Sequence, residues 1–199
     1  FEKNEQQVNP SPDHPILLLV PGSRKQELDK MLPVMIEAAR ALPQFTPIIA
    51  GAPGRNPSDY PDFEQTGIKT VFGETHDLMQ SAAVGLVTSG TATLEAALLG
   101  LPHVIGYRTS WITYAFARLM VHSKWIGLPN ILSDRTIVPE LIQAECTAQA
   151  LVHAVSALHD GQLLTAKGDE QRIEIQRLAA TLECSAPASA LVARSILNG

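Results

Sequence analysis

The chain has 199 residues, of which 45% are hydrophobic and 18% charged, a composition that suits one large domain with a sizeable core and excludes wholesale disorder. A formal net charge of −5 argues against a nucleic-acid binder that relies on broad electrostatic attraction, so no nucleic-acid partner is expected. Two cysteines, Cys146 and Cys184, and six histidines show no metal-ligand spacing; we expect free thiols in a reducing compartment, no bound metal and no cofactor.

Residues 1–14 are polar, carry two prolines and show no periodicity, which reads as a linker. Ile16–Val20 is a short continuous apolar run, the mark of a strand buried on both faces. A helix is predicted from Lys25 to Ala41, with Pro33 marking a kink or a late start. Pro47–Ala50 is the next strand, residues 55–67 a loop, Thr70–Phe72 a third strand and Asp77–Ala82 a short helix. Val84–Thr88 is a fourth strand, followed by a helix to Leu99 with Gly100 at its C-terminal cap, and Val104–Tyr107 is a fifth. Residues 111–122 read as an amphipathic helix and Trp125–Leu128 as a sixth strand. From about residue 147 the chain is a helical tail, with helices over Ala148–Leu158, Gln171–Leu182 and Ser189–Leu197.

Alternating strands and helices predict an α/β fold, a doubly wound Rossmann-like parallel sheet over residues 15–199 with extra C-terminal helices. In such sheets ligands bind beyond the carboxyl ends of the strands, so the loops after the strands are the places to search.

Gly22, Ser23 and Arg24 follow the first strand. Gly22 permits close backbone approach, and the helix start with the Arg24 guanidinium suits a phosphate; the plainer reading is a turn with Arg24 on a solvated face. Ser89, Gly90 and Thr91 follow the fourth strand, where Ser89 or Thr91 can cap the helix and small side chains expose its N–H groups. Glu95, one turn further on, either accepts hydrogen bonds from a ribose diol or closes a capping box on its own helix. Asn130, after Pro129, is a further polar candidate or a structural turn residue. The stretch from Tyr107 to Lys124 mixes aromatic, aliphatic and cationic residues and either packs as an amphipathic helix or touches a membrane surface. No nucleophile elbow or Walker-type loop is present, and no apolar run approaches the roughly 18 residues that span a bilayer.

Taken together, Leu18–Glu27 (LLVPGSRKQE), Val87–Leu98 (VTSGTATLEAAL), Gly127–Leu132 (GLPNIL) and Val138–Gln143 (VPELIQ) resemble the C-terminal half of bacterial lipid-A-disaccharide synthases, in the same order and at similar spacing. The resemblance covers roughly residues 16–160. It implies one half of a GT-B type glycosyltransferase with two Rossmann-like domains around a cleft. It implies transfer of 2,3-diacylglucosamine from UDP-2,3-diacylglucosamine to 2,3-diacylglucosamine 1-phosphate, with inversion and without a metal. Arg24, Glu95 and Asn130 match family motif residues expected to line the UDP site. It further implies an N-terminal domain bearing the acceptor site and general base, a cytoplasmic enzyme with peripheral contact to the inner membrane, and a homodimer through C-terminal helices. This chain alone, opening on Phe1, is then expected to bind UDP or the donor weakly and to show little or no transferase activity. The alternatives are a domain of another GT-B enzyme that uses UDP-N-acetylglucosamine, such as an epimerase or the peptidoglycan transferase, and a non-catalytic nucleotide-binding module.

Overall fold

The computed structural model describes residues 14–109 and 124–185. The linker over residues 1–13, the helix expected over 111–122 and the last tail helix over 189–197 lie outside the described residues.

Six parallel strands form one sheet: β1 (Ile16–Val20), β2 (Thr46–Gly51), β3 (Lys69–Phe72), β4 (Val84–Thr88), β5 (His103–Tyr107) and β6 (Glu140–Ile142), in the spatial order β3-β2-β1-β4-β5-β6. The helices are α1 (Lys25–Arg40), α2 (Phe63–Thr66), α3 (Thr75–Ser81), α4 (Thr91–Leu98), α5 (Leu128–Ser133), α6 (Ala148–Leu158) and α7 (Ala166–Ser185). The order reverses between β1 and β4, which pair directly from Leu17 opposite Val84 to Val20 opposite Val87. The carboxyl ends of those two strands therefore diverge into the crevice where doubly wound sheets hold ligands.

The apolar run of β1 has partners on both sides, as a strand buried on both faces requires. Leu17 and Leu19 pack with α1 and α6, while Ile16, Leu18 and Val20 pack with α3 and α4. All three leucines are fully buried, and each such side chain contributes about 1.5–3 kcal/mol of transfer free energy. The helix beginning near residue 147 belongs to this layer: Leu151, Val155 and Leu158 of α6 join the same core as Met31, Met35 and Ala38 of α1. α7 covers the other face beside α4, where Ile175 and Leu178 meet Ala97 and Ile105.

Two expectations change. The helix α1 runs unbroken through Pro33; Pro33 and Asp29, whose carbonyl it cannot bond, are both exposed residues, where water can take the place of the lost bond. Residues 125–127 are not the sixth strand. The Ile126 and Gly127 amides donate to the Glu140 carboxylate rather than to a strand ladder, and Pro129 starts α5 at a position proline favours. The sixth strand is instead Glu140–Ile142, inside the Val138–Gln143 motif, paired with β5. The loop at 55–67 holds a one-turn 3-10 helix at Pro57–Asp59 and the short α2, anchored by buried Tyr60, whose hydroxyl accepts from the Ala52 amide at 2.8 Å.

Candidate nucleotide-binding site

A cavity of about 700 Å³ opens at the carboxyl ends of β1 and β4, a volume in the ordinary range for small-ligand sites. It gathers Gly22, Ser23 and Arg24 from the β1–α1 turn and Ser89, Gly90, Thr91 and Glu95 from the β4–α4 turn. Seven of the eight residues singled out in the sequence thus share one cavity.

Each wall has a local cause. Gly22 has φ of +101°, and a Cβ there would stand 2.5 Å from the Glu27 carboxylate, so only glycine fits this turn without strain. Arg24 is the N-cap residue of α1. Its guanidinium is 81% exposed and pairs with Glu27 at 3.3 Å, while the other Glu27 oxygen accepts from the Ser23 and Arg24 amides at 3.2 Å each. The tip of α1 is therefore occupied in part by its own carboxylate. Arg55 donates to the Ser23 carbonyl at 2.6 Å and pairs with Asp59, which also faces Lys25. These cations add positive potential behind the turn.

The tip of α4 is different. Its N-cap is Gly90, with φ of 156° and ψ of −164°, a conformation nearly restricted to glycine. Among the described residues the structure records no side chain accepting from its first amides. Ser89 and Thr91 do not take the capping role expected of one of them: the Ser89 hydroxyl donates to the Ile126 carbonyl at 3.0 Å, and Thr91 is exposed on the cavity. Thr93 Oγ1 is spent as a donor to the Gly90 carbonyl at 2.7 Å. The first N–H groups of α4 are left open toward the cavity, with the positive end of the helix dipole behind them. Glu95 forms no capping box either; its carboxylate faces His76 Nε2 at 3.5 Å across the cavity.

Asn130 stands apart from this group. It is fully buried and absent from the cavity wall, and its amide is saturated. Oδ1 accepts from the Ile137 and Val138 amides, and Nδ2 donates to the Val138 carbonyl and to Glu140. Its side chain is spent on internal structure, from within α5 rather than from a turn. Sequence reasoning missed Glu27 and the segment Gly73–Asp77, which lines the side of the cavity toward β3. Glu27 is legible as the glutamate of a capping-box spacing; His76 carries no local signal, because only the order of strands brings it to Glu95. Among the described residues no three His, Cys, Asp or Glu side chains come together as a metal site, and no helix is long and apolar enough to cross a membrane. Cys146 is a buried free thiol, and burial pushes its pKa up.

Comparison with known proteins places this geometry. The family model described as lipid-A-disaccharide synthetase matches residues 2–193. The lipid-A-disaccharide synthase of Pseudomonas fluorescens is 32% identical over 194 residues, covering 94% of this chain and 50% of that protein. The lipid-A-disaccharide synthase of Syntrophus aciditrophicus is 36% identical over 148 residues, covering 70% of this chain and 39% of that protein. The chain thus spans about 40–50% of the length of these relatives. Among solved structures, the spinosyn forosaminyltransferase SpnP superposes with a TM-score of 0.55 at 18% identity, over 94% of this chain and 44% of its own. The S. aureus TarM mutant solved with UDP superposes with a TM-score of 0.56 at 11% identity, over 100% of this chain and 38% of its own. At these identities the likeness concerns fold alone, and that fold is one half of a GT-B glycosyltransferase. With two of its four family motifs meeting at the crevice between β1 and β4, the chain belongs to the lipid-A-disaccharide synthetase family.

Proposed function

We propose that this chain is the donor-holding half of a lipid-A-disaccharide synthase and binds the UDP moiety of UDP-2,3-diacylglucosamine in the cavity between β1 and β4. The carrying observation is that the Gly22–Arg24 turn and the uncapped start of α4 share one cavity at the point where strand order reverses. Open helix N–H groups and a guanidinium suit a diphosphate, and the Glu95 carboxylate suits the hydroxyls of a ribose.

In the reaction this supports, a hydroxyl of 2,3-diacylglucosamine 1-phosphate attacks the anomeric carbon of the donor from the face opposite UDP. The bond from that carbon to the diphosphate oxygen breaks, the configuration inverts and the acceptor proton passes to a general base. Negative charge grows on the departing UDP, and donors already aimed at it lower the barrier without reorganisation. Arg24 and the Thr91–Ala92 amides are the groups of this chain in that role. We infer that the general base and acceptor site lie in the part of the relatives' length that this chain does not span. The acyl chains of both sugars support a working position on the cytoplasmic surface of the inner membrane. A homodimer through C-terminal helices belongs to the same reading.

Isothermal titration calorimetry tests the proposal. UDP is expected to bind saturably, uridine to bind much more weakly, and Arg24→Ala to weaken UDP by roughly tenfold or more, as losing a charge-assisted contact does. Absence of saturable UDP binding at millimolar concentration overturns it. The chain alone is expected to give no disaccharide from donor and acceptor; turnover by the pure chain refutes the division of labour.

A further inference from the structure

We propose that His76 is a specificity-determining positioning residue: it holds the Glu95 carboxylate so that the cavity selects a ribonucleotide over its 2′-deoxy counterpart. The inference rests on the reading of the cavity as a UDP site and deepens it.

Glu95 projects from α4 and His76 from α3, two helices that follow different strands. Both side chains line the cavity, and Nε2 of His76 stands 3.5 Å from Oε2 of Glu95. Among the described residues the Glu95 carboxylate pairs with no lysine or arginine, and it does not turn back to cap α4. A free glutamate samples several rotamers, and ordering it on binding costs affinity. His76 limits that freedom by engaging Oε2. A carboxylate has two oxygens and about four acceptor positions, so Oε1 stays available for ribose hydroxyls.

The charge layout favours this orientation of the ligand. Glu74 and Asp77, both exposed, join Glu95 on the wall that carries His76. Arg24 and the open tip of α4 lie on the cavity as well, and Glu27 beside them is taken up by the Arg24 guanidinium and the Ser23 and Arg24 amides. A diphosphate is repelled by the carboxylate-rich wall and attracted by the cationic one, which leaves the neutral ribose beside Glu95 and His76.

The experiment compares binding of UDP and 2′-deoxy-UDP to the full chain by calorimetry in the wild type, Glu95→Gln, His76→Ala and His76→Gln. Wild type is expected to prefer UDP by at least about tenfold, the scale of a hydrogen bond to a charged acceptor. Glu95→Gln is expected to lose most of the preference. His76→Ala is expected to reduce it by at least about threefold, because an unanchored acceptor must be ordered by the ligand. His76→Gln, whose amide N–H reaches toward Glu95, is expected to restore it. The ratio is the readout because a merely structural role for His76 would weaken both nucleotides alike. A wild-type preference that persists unchanged in His76→Ala overturns this inference and leaves the UDP site standing. Failure of wild type to bind UDP overturns the site reading itself, and the inference with it. Equal binding of both nucleotides by wild type overturns the roles of Glu95 and His76 together. Should His76→Ala not fold, His76→Asn, whose shorter amide falls short of Glu95, is expected to show the same loss of preference, and its retention overturns the inference.

Discussion

Asn130 Nδ2 donates to Glu140 Oε1 at 2.7 Å, and this contact joins the start of α5 to β6. Glu140 also collects the Ile126 and Gly127 amides at 2.9 and 3.0 Å, and the Ile126 carbonyl receives the Ser89 hydroxyl at 3.0 Å. A buried asparagine thus sits at the root of a hydrogen-bonded chain that ends on the lip of the cavity. Asn130 works here as internal scaffolding.

Asn130→Ala would orphan the buried Ile137 and Val138 amides and the Val138 carbonyl. The expected loss is about 3 kcal/mol, since each buried group without a partner costs on the order of 1–3 kcal/mol. For a domain of this size that lowers the melting temperature by roughly 6–12 °C. Thermal melts followed by circular dichroism check the size. UDP affinity measured well below the melting point is expected to change little, and a large loss of affinity with an unshifted melt would instead put Asn130 in contact with ligand.

Gly22 and Arg24 are expected to separate stability from binding. Arg24 is exposed and, among the described residues, its guanidinium pairs with Glu27 alone, so Arg24→Ala should shift stability by no more than about 0.5 kcal/mol. Gly22→Ala forces a side chain onto a positive φ and against the Glu27 carboxylate that caps α1. It is expected to cost at least about 1 kcal/mol and to weaken UDP as well. Urea denaturation of both variants, read beside their UDP affinities, checks the contrast.

His103 makes stability depend on pH. It is fully buried, Nδ1 lies 2.8 Å from the Leu101 carbonyl and Nε2 has no hydrogen-bond partner among the described residues. Burial holds its pKa down to about 4 from the ordinary 6.5, with the Leu101 contact pulling weakly the other way. Between these values the unfolded chain binds the proton and the folded chain does not. The contribution is therefore complete above pH 6.5 and is lost as pH falls toward 4, by about 1.4 kcal/mol per unit. From pH 7 to pH 5 the expected loss is about 2 kcal/mol. Burial lowers the pKa of His159 too, which acts in the same sense. Denaturation curves across this range are expected to flatten in His103→Gln relative to wild type; an equal slope in both would refute the assignment.

Gln171 clamps α7 to the sheet. Its Oε1 accepts from the His103 amide at 2.8 Å and its Nε2 donates to the His103 carbonyl at 3.0 Å, both in the interior. Gln171→Ala leaves a donor and an acceptor buried without partners, an expected cost of about 2–4 kcal/mol. Hydrogen exchange at the His103 amide is expected to speed up in this variant more than exchange at Leu18 in the centre of β1.

Strand positions were legible because burial on both faces of a parallel sheet demands unbroken apolar runs, and Ile16–Val20 and Val84–Thr88 coincide with the observed strands. The glycine-bearing turns after those strands were legible for a related reason. Tight approach at a strand end leaves its mark in local residue choice, at Gly22 and Gly90. β6 escaped notice: it is only three residues long, it lacks a fully buried face, and the more apolar stretch at 125–128 lies beside it in sequence.

What the sequence by itself determined was the class of fold, the two turns facing one sheet edge and the family, since each rests on local pattern or on motif order. Only the tertiary structure decided that strand order reverses between β1 and β4, that His76 meets Glu95, that Glu27 rests on the tip of α1 and that Asn130 points inward. These depend on which elements become neighbours and which way each side chain turns. That outcome is set by the packing of the whole core, to which no single segment holds the key.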